Sequence, residues 1–274
     1  MVEKITDYKM IIDGEFVDSK DGERIKIECP SNKTIFATVP RGREEDVDIA
    51  VKSSKKAFKS WYKVMPKERG KILLKIADDI EENKEEIAKI IAKETGNAIR
   101  TQAGPEMNLV VDIFRYFGGL SSELKGETIP LGEHVLSYTR REPLGVVGAI
   151  IPWNAPVMLG ACKIAPALCS GNTLVMKAAE DAPLAILKVA EICQKYIPPG
   201  VLNLITGTGS ECGEPLAYHP LINKLSFTGS TAVGKIIMKA AAERILPVSL
   251  ELGGKSPSIV YPDVNEEWTV DGII

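Results

Sequence analysis

The segment that decides the fold spans residues 224–257 and reads KLSFTGSTAVGKIIMKAAAERILPVSLELGGKSP. It opens with a short apolar run that ends at Phe227, and a turn containing Gly229 follows. Apolar residues then recur at helical spacing, and a second apolar run precedes Gly253-Gly254. A strand–helix–strand unit of this length joins parallel strands, so the segment predicts an α/β fold.

Glu251 is the residue of this segment whose position calls for an explanation. It lies between Leu250 and Leu252, near the end of a strand whose other residues indicate burial. Ligands of open α/β sheets bind at the carboxyl ends of strands, and a carboxylate held there can act as a general base. A structural glutamate, held by an ion pair or by hydrogen bonds, is the alternative interpretation.

The rest of the chain alternates strand and helix from residue 144 onward. The runs LGVVGAII, TLVMK and VLNLI are each followed by a helical pattern, and SPSIVY indicates a further strand. Before residue 125, a hairpin signal at Asp13-Gly14 precedes three amphipathic helical patterns. Together these patterns predict an α/β protein with a doubly wound, mostly parallel, Rossmann-like sheet and N-terminal helices.

Residues 126–141 do not follow these helical and strand patterns. Their polar and apolar side chains alternate as in an extended ribbon that protrudes between two turns. A lone ribbon is not stable in water, so this one should pair with another part of the protein. A contact with a second subunit is one interpretation, and a local hairpin lying on its own domain is the other.

Composition and charge exclude several classes of protein. Lys plus Arg number 34 and Asp plus Glu number 37, so the net charge of −3 gives no general attraction to nucleic acid or to an anionic membrane. No uninterrupted apolar run approaches the length of a membrane span. The five cysteines form no CxxC pair, and with two histidines they indicate reduced thiols, a cytoplasmic location and no metal site.

Two glycine-rich loops come close to nucleotide-binding patterns. Residues 207–213 have the spacing GxGxxxG, one residue longer than the dinucleotide fingerprint. Residues 229–235 resemble a P-loop, but Ile236 stands where a hydroxyl side chain must hold Mg²⁺, which excludes ATP hydrolysis. What remains is a helix N-terminus at Gly229-Ser230 whose free N–H groups can hold a phosphate, with a tight structural turn as the alternative.

Two polar motifs follow predicted strands. Lys177 and Glu180 could bind the hydroxyls of a ribose, and a carboxylate there favours NAD over NADP because it repels a 2′-phosphate. An ordinary surface salt bridge is the alternative. Asn154 lies between Pro152 and Pro156, which restrict the backbone, so that its amide could stabilise an oxyanion. A cap for the next helix is the alternative there.

Taken in order along the chain, these motifs resemble those of the aldehyde dehydrogenase superfamily over essentially the whole sequence. The most specific are FTGST, which begins at Phe227, and LELGGKSP, which begins at Leu250. The resemblance implies NAD as cofactor, a small aldehyde as substrate, and a homodimer or homotetramer. It also implies three parts: an NAD-binding domain of residues 1–125 and 144–253, an oligomerisation ribbon of residues 126–143, and the start of a catalytic domain at residues 254–274.

The resemblance further implies roles for individual residues. In the family's reaction a cysteine thiolate attacks the aldehyde, hydride passes to NAD, and water releases the acid from a thioester. Asn154 would be an oxyanion donor, and Glu251 the base that activates the water. The residues implied to contact the cofactor are Ile151, Pro152, Trp153, Asn154, Lys177, Glu180, Gly209, Gly213, Phe227, Gly229, Ser230, Val233, Gly234, Leu252 and Gly253.

The sequence departs from the family pattern at the nucleophile. The family's cysteine lies downstream of the Glu-Leu-Gly-Gly segment, and this chain has no cysteine after Cys212. Cys162 and Cys169 match no family nucleophile. We therefore expect a cofactor-binding N-terminal fragment that does not oxidise aldehydes by itself. The alternatives are a non-catalytic nucleotide-binding or oligomerisation module, and a CoA-acylating or acyl-phosphate-reducing relative; Glu251 argues against the relative, because transfer to CoA needs no activated water.

Overall fold

A computed structural model describes residues 5–273 of the chain. The strands are β1 (Thr6–Asp7), β2 (Met10–Ile12), β3 (Glu15–Val17), β4 (Arg24–Cys29), β5 (Thr34–Pro40), β6 (Thr128–Pro130), β7 (Leu136–Tyr138), β8 (Val146–Ile150), β9 (Thr173–Lys177), β10 (Leu202–Ile205), β11 (Lys224–Gly229) and β12 (Val248–Leu252). The α-helices are α1 (Glu44–Trp61), α2 (Pro66–Thr95), α3 (Gly104–Leu120), α4 (Pro156–Cys169), α5 (Leu184–Gln194), α6 (Glu214–Tyr218), α7 (Thr231–Glu243) and α8 (Glu266–Ile273). No helix within the described range is long and apolar enough to cross a membrane.

The main sheet has seven strands in the order β12-β11-β8-β9-β10-β2-β3. The strands from β12 to β10 pair in parallel, whereas β2 and β3 are added antiparallel at one edge. After β10 the chain returns to the far side of β8, so the winding direction reverses between β8 and β11. The predicted doubly wound, mostly parallel sheet is therefore confirmed, and its switch point is the place where ligands of such sheets bind.

Apolar layers cover both faces of the central strands. Along β9, Leu174 and Met176 belong to the cluster that contains most of the buried residues of α2, α3, α4 and α5. Val175, between them, belongs to the cluster formed with α1, α6 and α7. A strand that contributes to two apolar layers has an unbroken apolar sequence, and this explains the run TLVMK.

Local signals in the sequence account for where several elements begin and end. Pro66 occupies the first turn of α2, where its missing N–H costs no hydrogen bond. Gly96 ends that helix with a φ of 81°, a conformation that glycine adopts without strain. Asp13 and Gly14, with φ of 54° and 80°, form the tight turn between β2 and β3. The predicted N-terminal helices and the hairpin are therefore confirmed.

The ribbon of residues 126–143 forms a hairpin of its own. Strand β6 pairs antiparallel with β7, and Thr128, Ile129 and Pro130 lie opposite Tyr138, Ser137 and Leu136. Leu136 is 82% exposed and Tyr138 is 66% exposed. The ribbon thus satisfies one edge of each strand locally, and it presents large apolar side chains to its surroundings.

The prediction of a strand at SPSIVY is wrong. Residues 253–265 contain no strand, and α8 follows them. A strand needs a neighbour that accepts and donates its main-chain hydrogen bonds, and within residues 5–273 no strand pairs with this segment. The apolar side chains of Ile259, Val260 and Tyr261 are accordingly exposed.

Candidate functional site

The candidate site lies along the carboxyl ends of β8, β9, β11 and β12. In the parallel register, Ile150 at the end of β8 is level with Lys177 of β9 and with Phe227 of β11. On the next pair of strands, Thr228 is level with Glu251. Parallel pairing therefore brings motifs that are far apart in sequence to one edge of the sheet, on both sides of the switch point.

Asn154 lies in the irregular segment that follows β8. Its side chain is exposed, and that of the adjacent Trp153 is 55% exposed. Among residues 5–273 the Asn154 side-chain amide has no hydrogen-bond partner, whereas its main-chain carbonyl accepts a hydrogen bond from Asn97 Nδ2 at 3.0 Å. The N-cap of α4 is Ala155, so Asn154 is not that helix's cap. Its amide remains available to a ligand oxygen.

Lys177, Glu180, Gly209 and Gly213 come together at the ends of β9 and β10. Lys177 Nζ lies 2.6 Å from Glu180 Oε2, with the lysine buried and the glutamate partly exposed. Burial acts to raise the pKa of Glu180, but the Lys177 charge and hydrogen bonds that include one from the Gly209 main chain hold it below the ordinary value. Glu180 is therefore a carboxylate at neutral pH, which suits an acceptor of ribose hydroxyls.

The N-terminus of α7 is the second group of predicted contacts. Ser230 is the N-cap, and its Oγ accepts a hydrogen bond from the Val233 N–H at 3.3 Å. The other N–H groups of the first turn are available to an anion. A Cβ on Gly234 would lie 2.6 Å from Leu252 Cδ2, so only glycine lets α7 lie this close to β12.

The apolar side chains of two predicted cofactor residues, Ile151 and Phe227, lie beneath the surface. Ile151 and Phe227 are 2% and 4% exposed, and a Cβ on Gly229 would lie 2.6 Å from Phe227 Cζ. Their side chains therefore support the loops that carry the exposed residues. Gly253 is different, because it is exposed and a Cβ there would meet no atom within 4 Å.

Glu251 does not lie in the buried strand that the sequence indicated. Strand β12 is the edge of the sheet, and Glu251 is exposed on it. Side chains of residues 249 and 251 point to the face opposite α7 and line an open groove shared with α4 and β11. The expectation of burial failed because edge position depends on strand order, which the local pattern does not encode. The carboxylate keeps access to water.

Lys163 is a residue of this groove that motif analysis passed over. It projects from α4, is 8% exposed, and donates a hydrogen bond from Nζ to Ser226 Oγ at 3.1 Å. Burial lowers the pKa of its ammonium group to about 8, while the charge of Glu251 acts to raise it. The sequence feature that could have identified it is a lysine within the otherwise apolar helical run at 155–169. The groove therefore holds a lysine and a carboxylate that interact electrostatically.

The hydroxyl of Thr228 marks the groove as a place for a ligand. Thr228 Oγ1 is buried and has no hydrogen-bond partner among the described residues. Leaving a buried hydroxyl unpaired costs free energy, so a bound molecule with a polar atom would stabilise it. Within residues 5–273 no group of three His, Cys, Asp or Glu side chains is arranged to hold a metal ion. The polar groups of this edge fit an organic ligand with an anionic part and hydroxyl groups.

We expect Lys163 to lose its proton near pH 8, well below the ordinary lysine value of 10.5, because burial disfavours its charge. Glu251→Gln should lower the midpoint further, since it removes a negative charge that favours the ammonium form. The measurement is a ¹³Cε NMR titration of lysine-labelled protein, with Lys163→Arg to assign the signal. A midpoint like that of exposed lysines, or one unmoved by Glu251→Gln, would contradict this assignment.

Comparison with known proteins identifies the family of this chain. The model of the aldehyde dehydrogenase family matches residues 16–274. Aldehyde dehydrogenase 1 of Tanacetum cinerariifolium is 46% identical over 94% of this chain and 53% of its own length. Long-chain-aldehyde dehydrogenase of an Acinetobacter species is 44% identical over 94% of this chain and 51% of its own. This chain thus spans about half the length of the curated relatives it matches.

Solved structures give the same result. The NAD⁺ complex of aldehyde dehydrogenase from Bacillus cereus superposes with a TM-score of 0.94 at 40% identity, over 97% of this chain and 55% of the other. The family model covers nearly the whole chain, and the solved structure superposes over nearly the whole chain as well. The chain belongs to the aldehyde dehydrogenase family.

Proposed function

We propose that this chain supplies the cofactor-binding half of an NAD-dependent aldehyde dehydrogenase that converts a small aldehyde into a carboxylic acid. The observation that carries the proposal is the convergence of Asn154, Glu180, Ser230 and Glu251 on one edge of a doubly wound sheet, at its switch point. Family membership supports the reaction class, and the NAD⁺ complex of the Bacillus cereus neighbour supports the cofactor.

The cofactor would lie across the switch point. Lys177 and Glu180 would hold the adenine ribose. Gly209 and Gly213 would line the pyrophosphate region together with the first turn of α7, at Gly229, Ser230, Val233 and Gly234, because the charge of a pyrophosphate suits a helix N-terminus. Pro152, Trp153, Leu252 and Gly253 would flank the remaining part, while Ile151 and Phe227 support the loops from below.

Two side chains of this half would take part in the chemistry. The bound NAD supplies the hydride acceptor. Asn154 would donate its free amide N–H to the oxygen of the reacting carbonyl and stabilise the negative charge that develops there. Glu251, exposed in the groove, would accept a proton from water and make it nucleophilic.

The proposal also divides the chain into structural parts and assigns it a cellular location. Residues 1–125 and 144–253 would form the cofactor domain, residues 126–143 the ribbon, and residues 254–274 the beginning of a catalytic domain. The five free thiols, four of them buried, are compatible with the reducing cytoplasm.

The 274 residues by themselves should form no NADH from NAD and an aldehyde. The reaction needs a thiolate, and Cys162, the exposed thiol among the five, follows no family nucleophile pattern. The assay is NADH absorbance with aliphatic and aromatic aldehydes at high protein concentration. Turnover that survives purification and is lost in Cys162→Ser would show that this thiol acts as the nucleophile.

The chain should bind NAD more tightly than NADP, because Glu180 is a carboxylate beside the proposed ribose position and repels a 2′-phosphate. Isothermal titration calorimetry with both cofactors measures the preference. Glu180→Ser should reduce it, whereas Glu243→Ser, on an exposed helix end away from the site, serves as the matched charge control. Equal binding of the two cofactors by the unmodified chain would remove Glu180 from this role.

The ribbon should mediate self-association in the oligomer that we propose for the complete enzyme. Its outer edges are unpaired within the described residues, and its apolar side chains are exposed. Leu136→Lys combined with Tyr138→Lys should lower the mass measured by light scattering. Lys125→Ala, beside the ribbon, is the control. An unchanged mass in the double variant would show that the ribbon is local structure only.

A further inference from the structure

The position of Asn154 is fixed through its neighbours along the main chain. Residues 151–155 have no regular secondary structure, and the Asn154 amide itself makes no hydrogen bond to the described part of the chain. An oxyanion donor works only if it is already oriented when charge develops, since reorientation would cost the free energy it is meant to supply. The segment therefore requires anchors at residue 154 and in the helix that follows it.

The first anchor is Glu106 of α3. Its Oε1 accepts hydrogen bonds from the main-chain N–H groups of both Val157 and Met158, each at 3.0 Å. These belong to the first turn of α4, which begins directly after Ala155 and has no side-chain cap of its own. Glu106 is 6% exposed and belongs to α3, which packs against α4. It binds the first turn of α4, which begins two residues after Asn154.

The second anchor is Asn97, between α2 and α3. Its Nδ2 donates to the Asn154 main-chain carbonyl at 3.0 Å. Asn97 is itself held, because its N–H donates to Thr95 Oγ1 at 3.0 Å. The two anchors act at different points: Asn97 holds residue 154 directly, and Glu106 holds the helix that follows it.

The buried position of the Glu106 carboxyl group costs free energy of desolvation. Burial raises the pKa of its carboxyl group, and among residues 5–273 no lysine or arginine forms an ion pair with it. Burial likewise raises the pKa of Glu94, to about 8, and the charge of Glu106 acts to raise it as well. Removing a carboxyl group from water costs free energy that a local Ser or Asp cap would not require. A side chain of α3 that caps α4 also fixes the position of α4 relative to α3. A cap from the residues next to α4 would not have this effect.

We propose that Glu106 and Asn97 are positioning residues that hold the main chain at Asn154 in the place from which its side-chain amide can reach an oxyanion. The proposal rests on the function proposed above for Asn154. It gives the α2–α3 hairpin, which contributes none of the predicted cofactor residues, a direct part in arranging the site.

Glu94 provides a matched control within the same hairpin. Its two carboxylate oxygens accept from the N–H groups of Leu184 and Ala185, at 2.6 and 3.0 Å, in the first turn of α5. It is 4% exposed. Glu94→Ala therefore removes an equally buried helix cap and loosens the fold in a comparable way, but it leaves the anchors of Asn154 in place.

The test measures the motion of the Asn154 main-chain amide N–H in the cofactor-free chain, by ¹⁵N relaxation of protein labelled with α-¹⁵N-asparagine, with Asn154→Ser to assign the signal. In the unmodified chain the order parameter should be near that of rigid backbone, about 0.85. It should fall below about 0.6 in Glu106→Ala and in Asn97→Ala, and it should stay high in Glu94→Ala. Glu106→Gln, which retains the accepting oxygen, should restore it.

Three results would overturn the proposal. They are an amide that is already mobile in the unmodified chain, an amide that stays rigid in Asn97→Ala, and an equal loss of order in Glu94→Ala. Asn97 is only partly buried, so Asn97→Ala tests the proposal even if Glu106→Ala does not fold. Because no cofactor is present, this outcome is independent of the NAD titration. Absence of NAD binding would count against the proposed function, whereas a rigid amide in the variants would count against the anchors.

Discussion

Strand β8 pairs in parallel on both of its edges, with β9 on one side and β11 on the other, and the site depends on this pairing. A parallel pair cannot be closed by a tight turn, so each connection must cross a face of the sheet as a helix. Helices on both faces bury β8 except for Ile150 at its carboxyl end, and the reversal of winding beside it opens a gap between loops of the kind in which sheets of this type bind ligands. The segment with Asn154 and the turn with Ser230 border this gap because they follow β8 and β11.

Helices α2 and α3 support this edge from a distance. They carry Glu94 and Glu106, whose buried carboxyl groups each accept hydrogen bonds from the first turn of a helix that follows a site loop. Burial raises the pKa of both carboxyl groups, while the N–H groups that donate to them act to lower it. The N-terminal hairpin and the sheet are thereby fixed relative to each other by polar contacts as well as by apolar packing.

The two ends of the site have different environments. Around Lys177 and Glu180 the charged groups are paired, with the lysine buried and the glutamate partly exposed. Around Glu251 the groove is open, and Lys163, Ser226 and Thr228 line its wall. The Thr228 hydroxyl has no hydrogen-bond partner among the described residues, and burial lowers the pKa of Lys163 to about 8. The paired charges and the open groove thus lie on opposite sides of β8.

Elements with a strong local pattern could be predicted from sequence. Gly96 and Pro66 mark the ends of α2, Asp13-Gly14 marks a hairpin, and the alternation of apolar runs with helical patterns indicates the doubly wound sheet. Predictions that depended on which strands lie next to each other in the sheet were less successful. The SPSIVY run has strand-like composition but no partner strand in the described range, and Glu251 is exposed because β12 happens to be an edge.

The sequence by itself determined the order of secondary structure, the glycine turns and the family motifs, because each depends on residues within one or two turns of chain. Only the tertiary structure decided which side chains meet. Lys163 faces Ser226, Asn97 reaches Asn154, and Glu106 caps α4 through contacts between residues more than 50 positions apart. Such contacts follow from strand order and helix packing, which are settled by the collective burial of apolar surface and not by any local pattern.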